Sequence, residues 1–492
     1  MAKTRYPRVS TFKSADALRD HLEGLGVGLE LDDEILSGEA SPLSRSLDVG
    51  DGLVAGNRFA IQPMEGWDGT TDGMPTETVR RRWTNFGLSG AKLIWGGEAF
   101  AVRPEGRANP NQLMCRPRTC GGVAELYDLL VTTHAERFGT TEDLVVGLQL
   151  THSGRFCRPF RKDRMEPAIA YRHPILDAKF GIAPEDDVVL SDEDLVELIE
   201  LYIQGARIAR DAGYDFVDIK HCHGYLGHEL LSGFTREGRF GGEPFENRTR
   251  FLCEIVEGIR AKGNDIAIGV RLSAFDFVPF RPDPEQAEGD KLGPGIPEAF
   301  ADILPYTGFG CDRNDPLCIA LAETHRFLDL LRELGIHLVN LSCGSPYYNP
   351  HIQRPALFPP SDGYQPPEDP LMGVARQINT VATIKSHYPD LAIVGTGYSY
   401  LQEYLPHVGQ AQVRACHIDF VGLGRMALSY PQLPADVLET GTMERAKICR
   451  TFSDCTTAPR SGMISGCFPL DPFYKERPEA EQLKQFKAGT GA

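Results

Sequence analysis

Residues 216–225 read FVDIKHCHGY, an apolar run that breaks at its end into Lys220, His221, His223 and Tyr225 around a glycine. Side chains of an extended strand alternate faces, so Val217, Ile219 and His221 point one way and Asp218, Lys220 and Cys222 the other. Past the strand end the alternation lapses, and a turn at Gly224 can bring Lys220, His223 and Tyr225 together. That trio offers a fixed cation, an imidazole that can hold or release a proton, and a phenol with an ordinary pKa of about 10. Such a set suits an oxyanion and a proton transfer. It makes a poor metal site, because histidines beside a lysine lack carboxylate partners.

A strand that ends in chemistry needs a scaffold that gathers strand ends. Eight short apolar runs recur, at 58–61, 91–95, 144–150, 216–220, 266–272, 337–342, 391–395 and 420–422. Helical patterns fill the gaps, at 76–89, 123–138, 191–212, 246–262, 322–334, 372–388 and 399–408. In the clearest of them Ser191 and Asp194 form a capping-box pattern, apolar residues from Leu195 to Ala206 keep a 3.6 period, and Gly213 follows as a stop. Strands without polar alternation, each followed by a helix, predict a closed parallel (β/α)8 TIM barrel, an α/β single large domain. An open doubly wound sheet is the competing architecture, but no run is followed by a G-x-G-x-x-G turn. The expected organisation is an N-terminal extension over 1–50, a barrel over 51–440 and a C-terminal tail over 441–492. Capping loops are expected as insertions near 156–189 and 274–318, on the side of the barrel where active sites lie.

Other strand ends carry polar groups too. Gln149, His152 and Arg155 stand in GLQLTHSGR, Arg271 stands in VRLS, Gly395 and Gly397 follow the seventh run, and Gly424 and Arg425 follow the eighth. Glycines that free backbone N–H groups after strands seven and eight, completed by an arginine, predict a phosphate cradle. The ligand should therefore carry a phosphate.

Composition narrows the partners. The chain has 492 residues, 41% hydrophobic and 24% charged, with a formal net charge of −17. A chain this acidic lacks the basic face that nucleic acid requires. The first twenty residues contain no apolar segment, so neither a signal peptide nor a membrane anchor is expected, and twelve scattered cysteines fit reduced thiols in a cytoplasmic enzyme.

Taken together, the motifs NRF-x-x-QPM (57–64), GGEAFAVRPEGR (96–107), QLTHSGR (149–155), HGYL-x-x-ELLS (223–232), FGGEPFENRTRF (240–251), VRLS (270–273) and DFVGLGRMAL-x-x-P (419–431) resemble the Old Yellow Enzyme-like NADH:flavin oxidoreductases, in the branch of 2,4-dienoyl-CoA reductase and trimethylamine dehydrogenase. The resemblance implies FMN as cofactor, with Pro63 and Met64 at the flavin edge, Gly97 beneath it, Gln149 on the pyrimidine ring, Arg271 near N1 and O2, and Gly397, Gly424 and Arg425 at the phosphate. It implies NADH or NADPH as reductant, Tyr225 as proton donor, and Lys220 and His223 as donors to a carbonyl oxygen. The expected function is an ene-type reductase of an unsaturated carbonyl or carboxylic compound. The alternative is a flavin-dependent amine dehydrogenase that passes electrons to a partner protein. A small-molecule substrate is implied in either case, and a homo-oligomer stays open.

Two departures stand out. Lys220 replaces a neutral donor, and Glu65 follows Pro-Met where relatives carry a small residue. Lys220 is then either a clamp for an anionic substrate oxygen or the partner of Glu65 in an ion pair. In the tail, Cys455 and Cys467 keep the spacing of the last two ligands of the family's iron–sulfur set. Ile448 and Thr451 stand where the first two belong, and Cys449 is one residue out of register, which argues against a cluster. Cys343, Tyr347 and Tyr348, after the sixth run, are candidate pocket residues.

Overall fold

The computed structural model describes residues 6–289 and 291–489. Eight parallel strands form a closed ring: β1 (Phe59–Ile61), β2 (Leu93–Ile94), β3 (Val145–Thr151), β4 (Phe216–Ile219), β5 (Ala267–Ser273), β6 (Leu338–Ser342), β7 (Ala392–Gly395) and β8 (Phe420–Leu423). Each pairs with the next, and β8 pairs with β1 through Val421↔Phe59 to Leu423↔Ile61, which closes the barrel. A short strand, Ala99–Ala101, runs parallel to the upper half of β3. The helices α1 (Glu77–Gly87), α2 (Cys120–Phe138), α3 (Asp192–Asp211), α4 (Phe245–Ala261), α5 (Ala322–Glu333), α6 (Pro370–His387), α7 (Leu405–Arg414) and α8 (Leu433–Thr440) follow the strands in turn. The (β/α)8 expectation holds.

Alternation along the strands separates two jobs. Outward residues such as Val217, Ile219, Val270, Leu341 and Val421 join the apolar layer shared with the helices. Inward residues are apolar at the lower end, where Phe216, Val145, Leu338, Val394 and Phe420 pack with Trp95 and with Val49 and Ala55 of an antiparallel hairpin (Leu47–Gly50, Leu53–Ala55). Two to four residues further up β3, β4, β5 and β6 the inward positions turn polar, as Gln149, Asp218, Arg271 and Asn340, all buried. The barrel is therefore plugged with hydrocarbon below and offers hydrogen-bonding groups above.

Local signals explain the element ends. The Ser191 Oγ accepts from Asp194 N at 3.1 Å while the Asp194 carboxylate accepts from Ser191 N at 2.9 Å, the reciprocal pair that starts α3. The segment expected as a helix over 399–408 splits instead. Tyr398–Tyr404 is a 3-10 stretch kinked at Gln402 (φ +53°), and α7 starts afresh at Leu405 because Pro406 has no N–H to continue the earlier turn. The 156–189 insertion contains a short helix, Pro174–Lys179, and the 274–318 insertion a small hairpin, Phe280–Pro282 with Gly295–Pro297. Among the described residues, no helix is long and apolar enough to cross a membrane.

Candidate active site

The chain leaves β4 through a turn in which His223 (φ +67°) and Gly224 (φ +77°) are both left-handed, and Tyr225 begins the helix Leu226–Leu231. A side chain at 224 would meet Tyr348 at 2.9 Å and Phe156 at 3.2 Å, so glycine is required by space as well as by φ. The turn does what the spacing suggests: Lys220 Nζ lies 3.7 Å above the Tyr225 ring, and Lys220, His223 and Tyr225 line one cleft at the upper barrel mouth. His221 faces outward instead, toward Phe327 of α5.

Glu65 is the hub of this end of the cleft. Its carboxylate accepts from Lys220 Nζ at 2.7 Å, the Tyr225 hydroxyl at 2.8 Å and the Trp67 indole at 2.9 Å. Of the two readings of Lys220, the structure displays the ion pair with Glu65. Tyr347 OH lies 2.7 Å from Tyr225 OH, and its ring stacks on Phe156. Burial, followed by the Glu65 charge, pushes the Tyr225 pKa well above the ordinary phenol value, so its proton is held. His223 Nε2 lies 3.0 Å from Ser342 Oγ. Burial, then the Arg271 and Lys220 charges, holds its pKa well below the usual imidazole value, so the ring is neutral.

Below these groups, Pro63, Met64, Gln62 and Arg271 form the cleft floor. Arg271 Nη1 donates to Pro63 O at 3.3 Å, while its Nε is buried without a partner. Three residues expected at the cofactor lie behind this floor and do not line the cleft. Gln149 donates its amide to Asp218 at 2.5 Å, and Asp218 also takes the Trp95 indole at 2.7 Å. Burial raises the Asp218 pKa to about 6 against those donors. Gly97 takes the Met64 N–H on its carbonyl at 3.0 Å and packs on Trp83. Gly395 offers its carbonyl to Gln62 Nε2 at 3.4 Å.

The far end of the cleft gathers Thr396, Gly397 (φ +96°), Gly424 and Arg425 from the ends of β7 and β8, while Gly395, expected with them, does not line it. It also gathers residues the strand-end reading missed. Arg354, from the loop after β6, lies near Arg425, and Thr456 and Arg460, from the tail, line the same cleft near Arg354. Arg425 Nη1 and Arg354 Nη2 are buried and have no hydrogen-bond partner. No periodicity or strand end marks Arg354; an arginine in a long loop looks like any other.

A buried network braces the floor, with Arg82 and Gly66 themselves lining the cleft. Arg82 pairs with Asp68 at 2.7 Å and with Glu98 at 2.6 Å, and Glu98 accepts the Gly66 N–H at 3.1 Å beside Glu65. Burial, opposed by Arg82 and reinforced by Asp68, raises the Glu98 pKa to about 7. His152 and Arg155 stay outside the cleft. Arg155 bonds Glu229 at 2.8 Å and also Asp177, which anchors the 156–189 insertion. Cys343 is buried in a separate cluster around Phe275, and Tyr348 donates to Asp276, so of that trio only Tyr347 faces the cleft. In the tail, Cys449, Cys455 and Cys467 border one small pocket with Thr451. Among the described residues, no group of three or more His, Cys, Asp or Glu is arranged to hold a metal ion.

The geometry meets the comparisons with known proteins here. Residues 45–288 match the model of the NADH:flavin oxidoreductase / NADH oxidase family. That segment, just under half of the chain, carries the likeness to this family that the motifs led one to expect. It is 31% identical over 232 residues to an NADPH dehydrogenase of Geobacillus sp. (strain WCH70), across 46% of this chain and 62% of that protein. It is 24% identical over 391 residues to an NADH oxidase of Thermoanaerobacter brockii, across 79% of this chain and 49% of that protein. The chain thus spans about half to three-fifths of the length of the curated relatives it matches. Among solved structures, a 2-naphthoyl-CoA reductase complexed with 2-naphthoyl-CoA superposes with a TM-score of 0.61 at 16% identity, over 88% of this chain and 57% of that one, a likeness of fold.

Proposed function

We propose that the protein is an FMN-dependent oxidoreductase that takes hydride from NADH or NADPH and reduces a carbon–carbon double bond conjugated to a carbonyl or carboxylic group. The observation that carries this reading is a single cleft with two complementary ends: a protonated phenol and a neutral imidazole at one, and guanidinium groups that each keep an unpartnered nitrogen at the other. FMN fits that division. Arg425, Gly397 and Gly424 would hold its phosphate, and Pro63, Met64 and Arg271 would hold its ring. When bound, the flavin supplies hydride transfer between nicotinamide and alkene.

The chain's own residues then have separable tasks. The buried Arg271 guanidinium, with a free Nε–H, favours negative charge at the ring edge it faces. Tyr225 keeps its proton and sits in a relay with Tyr347 and Glu65, so it can protonate a substrate carbon and recover a proton from Tyr347. His223 is the neutral group placed to steady a carbonyl oxygen. Lys220 acts through Glu65. A neutral carbonyl compound therefore suits this cleft better than the free acid that an unpaired lysine would have selected.

An anaerobic absorbance titration tests the reading. NADH or NADPH should bleach a flavin band, and an unsaturated ketone or ester should restore it. Bleaching by an amine, with neither nicotinamide effective, would move the assignment to an amine dehydrogenase with a partner protein as electron acceptor. A protein that cannot be reconstituted with FMN would remove the cofactor assignment.

A further inference from the structure

Three guanidinium groups bear on one stretch of the cleft wall: Arg354 and Arg425 at its far end, and Arg460, which is near Arg354 and also lies 5.4 Å from the Tyr347 ring. One carboxylate answers them, Asp362, which bonds Arg460 Nη1 at 2.9 Å. Arg354 Nη1 donates to the Thr456 hydroxyl, and Arg425 Nη2 donates to Pro355 O at 3.0 Å. Arg354 Nη2 and Arg425 Nη1 are shut off from solvent with nothing to donate to. The cluster thus has two positive charges in excess, and each of two guanidinium groups has an unused N–H.

Keeping cations so close is costly. Burial first, then Arg460 and Arg425, pushes the Arg354 pKa down to about 9, a large depression for a guanidinium. Such repulsion persists in a folded protein when a ligand relieves it, and the complement of two excess charges and two free N–H groups is a dianion with several acceptor oxygens.

We propose that Arg354, positioned by Thr456 of the tail, is a second phosphate-binding arginine beside Arg425, and that the pair selects a terminal phosphate dianion, so that FMN is bound in preference to riboflavin. This rests on the FMN reading above and adds to it a residue from outside the strand-seven and strand-eight cradle, together with a tail contact. Arg460, already paired with Asp362, supplies charge at longer range.

The experiment measures FMN and riboflavin dissociation constants by flavin fluorescence for the wild type, Arg354→Met, Arg354→Lys and Thr456→Val, with circular dichroism to confirm folding. In Arg354→Met the FMN constant should rise at least tenfold while the riboflavin constant stays within twofold. Arg354→Lys should recover part of the loss, and Thr456→Val should show a smaller loss of the same kind. An unchanged FMN-to-riboflavin ratio in folded Arg354→Met overturns the proposal. Inorganic phosphate separates this from the cofactor reading. It should raise the melting temperature of flavin-free wild type and leave Arg354→Met unmoved. Wild type that answers phosphate but binds no flavin would sink the FMN assignment and keep the anion site, whereas equal phosphate responses in the two proteins would sink the site itself.

Discussion

Glu65 and Lys220, 155 residues apart in the chain, close on each other at 2.7 Å inside the cleft, with side chains 11% and 5% exposed. Removing one member of such a pair leaves the other charge buried, which typically costs about 3–5 kcal/mol, whereas neutralising both costs far less. Lys220→Met should therefore lower stability by about that amount in urea unfolding, and Lys220→Met with Glu65→Gln should recover most of it. A double variant no better than the single one would mean that Lys220 is not stabilised through Glu65.

Tyr225 holds its proton firmly because burial and the Glu65 charge oppose its loss. Replacing it with Phe removes the proposed proton donor but leaves the floor of the cleft intact. Stopped-flow measurement should show reduction by nicotinamide essentially unchanged and reoxidation by the alkene slowed about a hundredfold or more. Equal slowing of both half-reactions would instead indicate a general disturbance of the cleft.

Glu98 links folding to pH. Its folded pKa of about 7 lies above the ordinary carboxylate value, so between those two values the folded protein holds the extra proton. The stability that this proton brings is full below the unfolded pKa and is lost as pH rises through about 7. Glu98→Gln keeps an oxygen for the Gly66 N–H but cannot ionise. Its melting temperature should fall less than that of the wild type between pH 5 and pH 8, with Asp218 accounting for part of the slope that remains.

Gly97 is proposed to act through packing alone. It has φ +56°, and a Cβ there would lie 2.8 Å from the Trp83 ring. Gly97→Ala should cost about 1–3 kcal/mol in thermal or urea unfolding, with FMN affinity of the folded fraction preserved. Loss of affinity without loss of stability would return Gly97 to the cofactor contacts.

Much of the architecture could be read along the chain, because buried parallel strands appear as short apolar runs and three of the barrel helices start at a capping side chain, Thr76, Ser191 and Asp369. The β4 turn was legible for the same reason: Lys220, His223 and Tyr225 are near neighbours, and one turn settles where they go. Gln149 shows what is lost without the third dimension. It lies beside Asp218 across the β3–β4 ladder, and the neighbouring carboxylate captures its amide. That outcome follows from strand register, which a single run does not display. Glu65 and Lys220 left a trace, an unexpected charge at each position that made their ion pair one of two readings, whereas the loop-to-tail meeting of Arg354 with Thr456 left none.

The tail walls the cradle with Thr456, Pro459, Arg460 and Ser465. Its polar pins include Ser453 Oγ on Phe358 O at 2.7 Å, Arg460 Nη2 on Pro346 O at 3.1 Å, Ser361 N on Thr457 Oγ1 at 3.3 Å, and the ion pairs of Arg460 with Asp362 and of Asp471 with Arg81. Polar pins of this kind open at less cost than a barrel core, so the segment they hold can detach locally before the barrel unfolds. Residence time and affinity then have different origins. The arginines set how tightly an anion is held at equilibrium, while the rate at which it escapes follows how often this strap lifts. Dilute urea, too weak to loosen the barrel, should hasten release far more than it weakens binding.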